Sequence, residues 1–156
     1  MNPFLIDLHQ LPAEGKTLQG RQPAGFFELS ADDLVAGPLD FQLQLVREGD
    51  NLHVAGRLEA SFDLQCGRCL ARFPYRVELA NYAAELPVEN GATIDLTETL
   101  REDILLALPN FPRCEDGNVE PRDCPAEGRF DSTPPADETG LPGAERGIWN
   151  ALDQLK

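Results

Sequence analysis

The sequence predicts an α+β fold: an antiparallel β-sheet, curled or forming a partly open barrel, with a covering helix and a disordered acidic C-terminal tail. Residues 39–45, 52–64 and 73–79 alternate apolar and polar side chains with the two-residue period of a strand. Residues 96–108 instead repeat apolar side chains every four positions, which is typical of a helix. A sheet with one apolar face needs a second layer to bury it, and this helix can supply that layer.

The two longest alternating runs are expected to form a hairpin. They are separated by Glu48-Gly49-Asp50-Asn51, a sequence rich in turn-forming residues. Gly56 falls on the apolar register of the second run, where a large side chain is expected, and therefore predicts a bulge or a close backbone approach. Residues 4–8 and 15–20 are two further strand candidates.

The predicted helix carries its own start and stop sequences. Asp95 can accept from the first free backbone N–H groups, and Glu98 stands where a capping box requires it. Pro109 stops the helix because it lacks an N–H group. The apolar stripe consists of Leu96, Leu100, Ile104 and Leu108.

Composition divides the chain into three parts. Residues 1–114 form the predicted β-rich core domain, which includes helix 96–108. Residues 115–146 are rich in acids, prolines and glycines and poor in large apolar residues, so they are expected to be a disordered linker. Residues 147–156 form a short amphipathic segment with an apolar stripe of Ile148, Trp149, Leu152 and Leu155.

The charge of the chain bears on the kind of partner it binds. Its 27 Asp and Glu outnumber its 13 Lys and Arg, which gives a formal net charge of −14. Such a charge disfavours direct RNA binding and favours a basic partner. Neither a secretory leader nor an apolar stretch of the roughly 20 residues that cross a bilayer is visible, so a soluble cytoplasmic protein without membrane contact is expected.

The cysteines are the candidate metal ligands. Cys66 and Cys69 form a C-x-x-C motif between two strand-like runs, and Cys114 and Cys124 follow downstream. A C-x-x-C at a hairpin tip presents two thiolates to a metal, and two more would complete a tetrahedral zinc site. Because Cys114 and Cys124 are further apart than the usual two to four or so residues, three interpretations stay open: zinc coordination, ordinary reduced thiols, or a redox disulfide.

No catalytic residue is predicted, and the chain is not expected to be an enzyme. The only histidines are His9 and His53, which lie in separate strand-like segments. Neither a nucleophile elbow, a P-loop nor a G-x-G-x-x-G motif is present.

Several segments together resemble the YceD family of large ribosomal RNA subunit accumulation proteins. They are Leu64-Gln65-Cys66-Gly67-Arg68-Cys69-Leu70, the Phe73–Leu79 run, Ile94-Asp95-Leu96, the Arg101–Pro109 stretch and the Ile148–Lys156 ending. The family's motif positions correspond here to Cys66, Arg68, Cys69 and Cys114. The resemblance implies a bacterial, non-catalytic factor needed for accumulation of large-subunit ribosomal RNA.

This interpretation predicts a partner that is a basic ribosomal protein or a pre-50S particle. The candidate partner-binding residues are Arg68, Arg72, Trp149, Leu152 and Leu155. One alternative is a direct RNA-binding protein, which would require Arg21, Arg57, Arg68, Arg72 and Arg76 to form a single basic face. The other alternative is a zinc or thiol protein that responds to redox conditions, in which the cysteines react reversibly with an oxidant.

Overall fold

The computed structural model describes residues 2–30, 34–89 and 91–126. In chain order these residues form β1 (Leu5–Asp7), β2 (Lys16–Gln22), β3 (Val35–Glu48), β4 (Asn51–Gln65), β5 (Arg72–Pro87), β6 (Thr93–Asp95) and α1 (Thr97–Leu106). Short 3₁₀ turns add Ala24–Phe27 and Cys114–Asp116.

The predicted α+β class is confirmed, but the sheet is open. Its four strands pair antiparallel in the order β2-β3-β4-β5, so β2 and β5 are edge strands. A separate antiparallel ladder joins β1 to β6. Within the described residues the strands therefore do not close into a barrel. Other elements cover the apolar face of the sheet instead.

The hairpin expected from the two longest runs is β3 and β4, joined by the turn at Gly49-Asp50. Leu43 lies opposite Gly56, and Leu45 lies opposite Val54, so the apolar residues of both strands share one buried face. Gly56 confirms the predicted close approach: a Cβ atom there would lie 2.0 Å from the carbonyl oxygen of Gln42. A register shift between β4 and β5 also begins at Gly56.

Aromatic side chains join the covering elements to the sheet. Phe4 precedes β1, and its ring centroid lies 4.7 Å from that of Phe41 in β3. Phe27, in the first 3₁₀ turn, lies 5.0 Å from Phe62 in β4. All four rings are buried, so this cluster forms one part of the core.

Helix α1 supplies the rest of the cover. Leu100 and Ile104 lie one turn apart and are fully buried, as the stripe predicted. The Tyr82 hydroxyl of β5 donates to Asp103 at 2.6 Å, which ties the helix to the edge strand. The helix ends at Leu106, earlier than the predicted residue 108, because Ala107 and Leu108 tighten into a last turn of i→i+3 hydrogen bonds before Pro109.

The start of the helix differs from the prediction in one respect. Asp95 accepts from the backbone N–H of Thr97 at 2.9 Å, as an N-terminal carboxylate should. Glu98 does not complete a capping box, because its carboxylate accepts from the Arg101 guanidinium at 2.7 Å instead.

Residue contacts divide the chain into Met1–Pro125 and Ala126–Lys156. Residues 115–125, predicted as the start of the disordered linker, therefore group with the core unit. The rest of the predicted linker, from residue 127, and the terminal segment 147–156 lie outside the described residues. The part of the chain that the structure describes contains no helix both long and apolar enough to cross a membrane.

Candidate metal centre

The first half of the site is the turn between β4 and β5, where the C-x-x-C motif was expected. The N–H of Cys66 donates to the carbonyl of Ala71 at 2.9 Å, and the N–H of Leu70 donates to the carbonyl of Cys66 at 3.0 Å. Leu70 has φ +62°, a left-handed conformation that lets the chain turn back into β5. Both cysteines therefore lie on one short loop at the hairpin tip.

The second half arrives from the end of α1. Pro109 and Pro112 direct the chain toward the turn, and the N–H of Gly67 donates to the carbonyl of Pro112 at 2.9 Å. A 3₁₀ turn then begins at Cys114, and Asp116 caps it by accepting from the N–H of Arg113 at 2.9 Å. These contacts bring Cys114 against the C-x-x-C loop.

Asn118 anchors the loop that leads to Cys124. Its side-chain oxygen accepts from the N–H of Arg76 at 2.8 Å, and its amide group donates to the carbonyl of Arg76 at 2.7 Å. Asn118 thus pairs with the outer edge of β5 as a neighbouring strand would. This contact ties the loop between Cys114 and Cys124 to β5, and the wide spacing of the two cysteines in sequence does not keep their sulfurs apart.

The four sulfur atoms lie together, as the zinc interpretation requires. Cys66 Sγ is 3.7 Å from Cys124 Sγ, and Cys69 Sγ is 3.4 Å from Cys114 Sγ. All four lie within 4.8 Å of one another. Sulfurs bound to one zinc ion at about 2.3 Å stand about 3.8 Å apart, so the cluster is close to the size of a tetrahedral site.

The surroundings of the sulfurs suit thiolate ligands. Cys66, Cys114 and Cys124 are buried, and Cys69 is partly exposed. Burial acts to raise the pKa of Cys66, but hydrogen bonds from the backbone N–H groups of Cys69, Arg68 and Cys114 lower it to about 6. Such N–H donors stabilise metal-bound thiolates, so the four residues fit a zinc ion.

Cys114 has a different environment. Burial raises the pKa of its thiol, and the neighbouring cysteines act in the same direction. Arg122 opposes this effect, because its guanidinium donates to Cys114 Sγ at 3.3 Å. Sequence reasoning did not single out Arg122, although its position two residues before a candidate ligand made it a neighbour of the cluster.

The candidate partner-binding residues are only partly placed. The Arg68 guanidinium donates to Glu115 at 3.2 Å and is largely buried. Arg72 begins β5 and borders a surface depression with Leu34 and Val35. Trp149, Leu152 and Leu155 lie outside the described residues.

Comparison of the chain with protein-family models, curated proteins and solved structures gave no match.

Proposed function

We propose that this chain is a non-catalytic ribosome biogenesis factor that supports the accumulation of large-subunit ribosomal RNA by binding a basic ribosomal protein or a pre-50S particle. In this proposal one zinc ion stabilises the fold of the domain and is held by Cys66, Cys69, Cys114 and Cys124. The observation that carries the zinc site is the convergence of four sulfurs within 4.8 Å. The resemblance of the cysteine and helix motifs to the YceD family supports the ribosomal role.

The four-cysteine set favours a structural ion over a catalytic one. A catalytic zinc keeps one coordination position open for water or substrate, whereas four protein thiolates fill all four positions. When bound, the ion would supply a cross-link between the β4–β5 turn and the segment after α1. These two segments are far apart in sequence, so the cross-link stabilises a long-range contact.

The first experiment removes the metal. We expect a strong chelator to lower the melting temperature of the zinc-loaded protein and release one zinc ion per chain. At a zinc concentration about 1,000 times Kd the bound ion stabilises the fold by about 4 kcal/mol. A loss of that size corresponds to a melting shift on the order of 15 °C for a chain of this length.

The matched control is the Cys69→Ser variant, measured with and without chelator. It removes one ligand from the partly exposed corner of the cluster, so its melting temperature should already be low and the chelator should change it little. A wild-type protein that melts at one temperature whether or not zinc and chelator are added would contradict the zinc site.

The pairing of the arginines favours a basic partner over RNA. Residues of the hypothetical basic face lie against carboxylates in Arg21–Asp40, Arg57–Glu78, Arg68–Glu115 and Arg76–Glu59 pairs. A phosphate backbone needs unneutralised Lys and Arg side chains. With these charges balanced and a net charge of −14 for the whole chain, the protein offers its surplus carboxylates to a cationic surface.

Leu70 supports a protein contact close to the cluster. Its side chain is 65% exposed, and its backbone has the left-handed conformation that costs a non-glycine residue about 1–2 kcal/mol. Asparagine tolerates this conformation better and wastes no apolar surface on water. In this proposal Leu70, two residues from Arg68 at the β4–β5 turn, is one of the residues that the partner contacts.

The second experiment tests the partner. The full chain is used to capture proteins and RNA extracted from large ribosomal subunits, and bound components are identified at low and high salt. We expect basic ribosomal proteins to bind, and the Leu70→Asn variant to bind them less while it melts no lower than the parent. Capture of RNA by the chain from an extract whose ribosomal proteins have been removed beforehand would favour the direct RNA-binding alternative.

One observation favours a thiol-redox role as a second candidate. The sulfurs form two close pairs, Cys66–Cys124 at 3.7 Å and Cys69–Cys114 at 3.4 Å. Peroxide could oxidise each pair, with two thiols and one hydrogen peroxide giving one disulfide and two water molecules. Rapid, reversible loss of all four thiols from the zinc-loaded protein under mild peroxide would support this role, whereas protection by zinc would support the structural site.

A further inference from the structure

The charge of the proposed zinc centre requires compensation. Four thiolates around one divalent ion leave a net charge of about −2. Three of the four sulfurs belong to buried residues, so water solvates this charge poorly. Hydrogen-bond donors and cations of the protein must therefore take the place of water.

The backbone N–H donors concentrate on one sulfur. The N–H of Arg68 lies 3.4 Å from Cys66 Sγ, and those of Cys69 and Cys114 also donate to Cys66. Arg68 and Cys69 belong to the C-x-x-C turn, and Cys114 begins the second 3₁₀ turn.

Cys114 receives a charged donor. Arg122 Nη2 lies 3.3 Å from Cys114 Sγ, and Cys114 itself has no exposed surface. The guanidinium end of Arg122 thus reaches the cluster from the exposed loop between Asn118 and Cys124. A cation at this distance stabilises a thiolate by both charge and hydrogen bonding.

We infer that Arg122 is the counter-charge of the metal centre: its guanidinium, 3.3 Å from Cys114 Sγ, positions that ligand and offsets part of the centre's negative charge. This inference rests on the proposed zinc site. Arg122 acts through Cys114 and does not touch the metal, so it is a positioning residue.

The chain offers a matched control in Arg68. Arg68 belongs to the C-x-x-C turn, but its guanidinium donates to the Glu115 carboxylate at 3.2 Å. Replacing Arg68 with Gln removes the same charge from the same region while leaving the backbone N–H donor to Cys66 in place.

The test is a zinc competition titration of the full chain against a chromophoric chelator. Arg122→Gln should weaken zinc binding about 10-fold, the lower end of what loss of a ligand-supporting hydrogen bond causes. Arg122→Lys should recover most of the affinity, because it restores the charge. Arg68→Gln should stay within about twofold of the parent, since the Arg68 guanidinium donates to Glu115 and the backbone N–H donor to Cys66 stays in place.

Cobalt substitution gives a readout that a merely structural role would not move. A hydrogen bond to a thiolate lowers the energy of its sulfur electrons, so its loss should shift the sulfur-to-cobalt absorption band to longer wavelength. We expect this shift in Arg122→Gln. Arg122→Lys should have a band close to that of the parent, and Arg68→Gln should show no shift.

Three other results would overturn the inference. Parental zinc affinity and cobalt spectrum in Arg122→Gln would overturn the role of Arg122 and leave the zinc site standing. Equal weakening in Arg122→Gln and Arg68→Gln would also overturn it, because the effect would then be general electrostatics. A parent chain that binds no zinc would overturn the metal centre, and this inference with it.

Discussion

Gly56 shows how one residue allows two strands to meet. Its φ is +154°, and the position of a Cβ atom there would be 2.0 Å from the Gln42 carbonyl oxygen and 2.9 Å from the Leu43 Cα. No real side chain tolerates such distances to backbone atoms. Glycine is therefore required at this point of the β3–β4 hairpin, and the apolar pattern could predict this from sequence because Gly56 interrupts it.

We expect Gly56→Ala to lower the free energy of unfolding by on the order of 3 kcal/mol, since it combines backbone strain with a backbone clash. Gly25→Ala is the matched control, because nothing lies within 4 Å of its Cβ position. It should change stability by less than about 1 kcal/mol. Urea denaturation of both variants provides the comparison, and equal midpoints for the two would contradict the close approach at Gly56.

At the scale of elements, α1 depends on contacts at its two ends and on one buried stripe. At its N-terminus Asp95 accepts from Thr97 and from Asn2, which joins the start of the helix to the chain just before β1. Partial burial acts to raise the pKa of Asp95, but hydrogen bonds from Thr97 and Asn2 and the charge of Arg101 hold it below its ordinary value. The ionised carboxylate is thus the form that the fold stabilises.

A pH dependence follows from that lowered pKa. The stabilisation is fully present above the ordinary Asp pKa of about 3.9 and is lost as pH falls through the folded value. We expect Asp95→Ala to lower the unfolding free energy by about 1 kcal/mol at pH 7, the usual loss at a helix N-terminus, and by less toward pH 2. Thermal melts across this range provide the measurement.

Glu102→Ala is the control for this pH experiment. Glu102 lies on the exposed face of the same helix, and its replacement removes a carboxylate without removing these N-terminal hydrogen bonds. A stability difference between Asp95→Ala and the parent that grows as the pH falls would show that the sign is wrong.

The buried stripe of α1 gives a larger effect. Leu100 and Ile104 are 1% and 0% exposed, so we expect Leu100→Ala and Ile104→Ala each to destabilise the fold by about 2–5 kcal/mol. Leu106→Ala, on the 73% exposed last residue of the helix, should change stability by less than about 0.5 kcal/mol. If all three variants melt like the parent, the helix does not cover the sheet.

The elements also show what a sequence can and cannot predict. The β3–β4 hairpin and the stripe of α1 follow from side-chain periodicity, which is a local property. Strand β6 has only three residues and is held by its ladder with β1, so no period exists to reveal it. Glu98 matched a capping box, but a nearby guanidinium competed successfully for its carboxylate.

At the scale of the whole molecule, one part of the candidate metal centre was predictable from sequence and another part was not. The position of Cys66 and Cys69 at a hairpin tip was predictable because strand-like runs flank them. The route by which Cys124 reaches the cluster was not, because it runs past Asn118, whose side chain pairs with the edge of β5. A long-range contact of this kind has no signature in local composition, and neither does the approach of Arg122 to Cys114.

Residues 115–156 carry both the acidic stretch and the apolar terminal segment that are proposed to bind the partner. The terminal segment carries Trp149, Leu152 and Leu155, and it follows a stretch rich in acids and prolines. A short helix with one apolar stripe gains stability only from a surface that covers the stripe. Acidic residues beside it would raise the rate of encounter with a basic partner.

We therefore expect the full chain to bind the proposed basic ribosomal partner more tightly than a chain ending at Gly147, and more tightly at low than at high salt. Trp149→Ala should weaken binding by about 2 kcal/mol, or roughly 30-fold, because buried aromatic anchors carry much of an interface's energy. Titration calorimetry with the purified partner measures both effects, and Leu5→Ala, at an exposed leucine in β1, controls for loss of any apolar side chain. Unchanged affinity after truncation would remove the terminal segment from the interface and leave binding to the domain of residues 1–125.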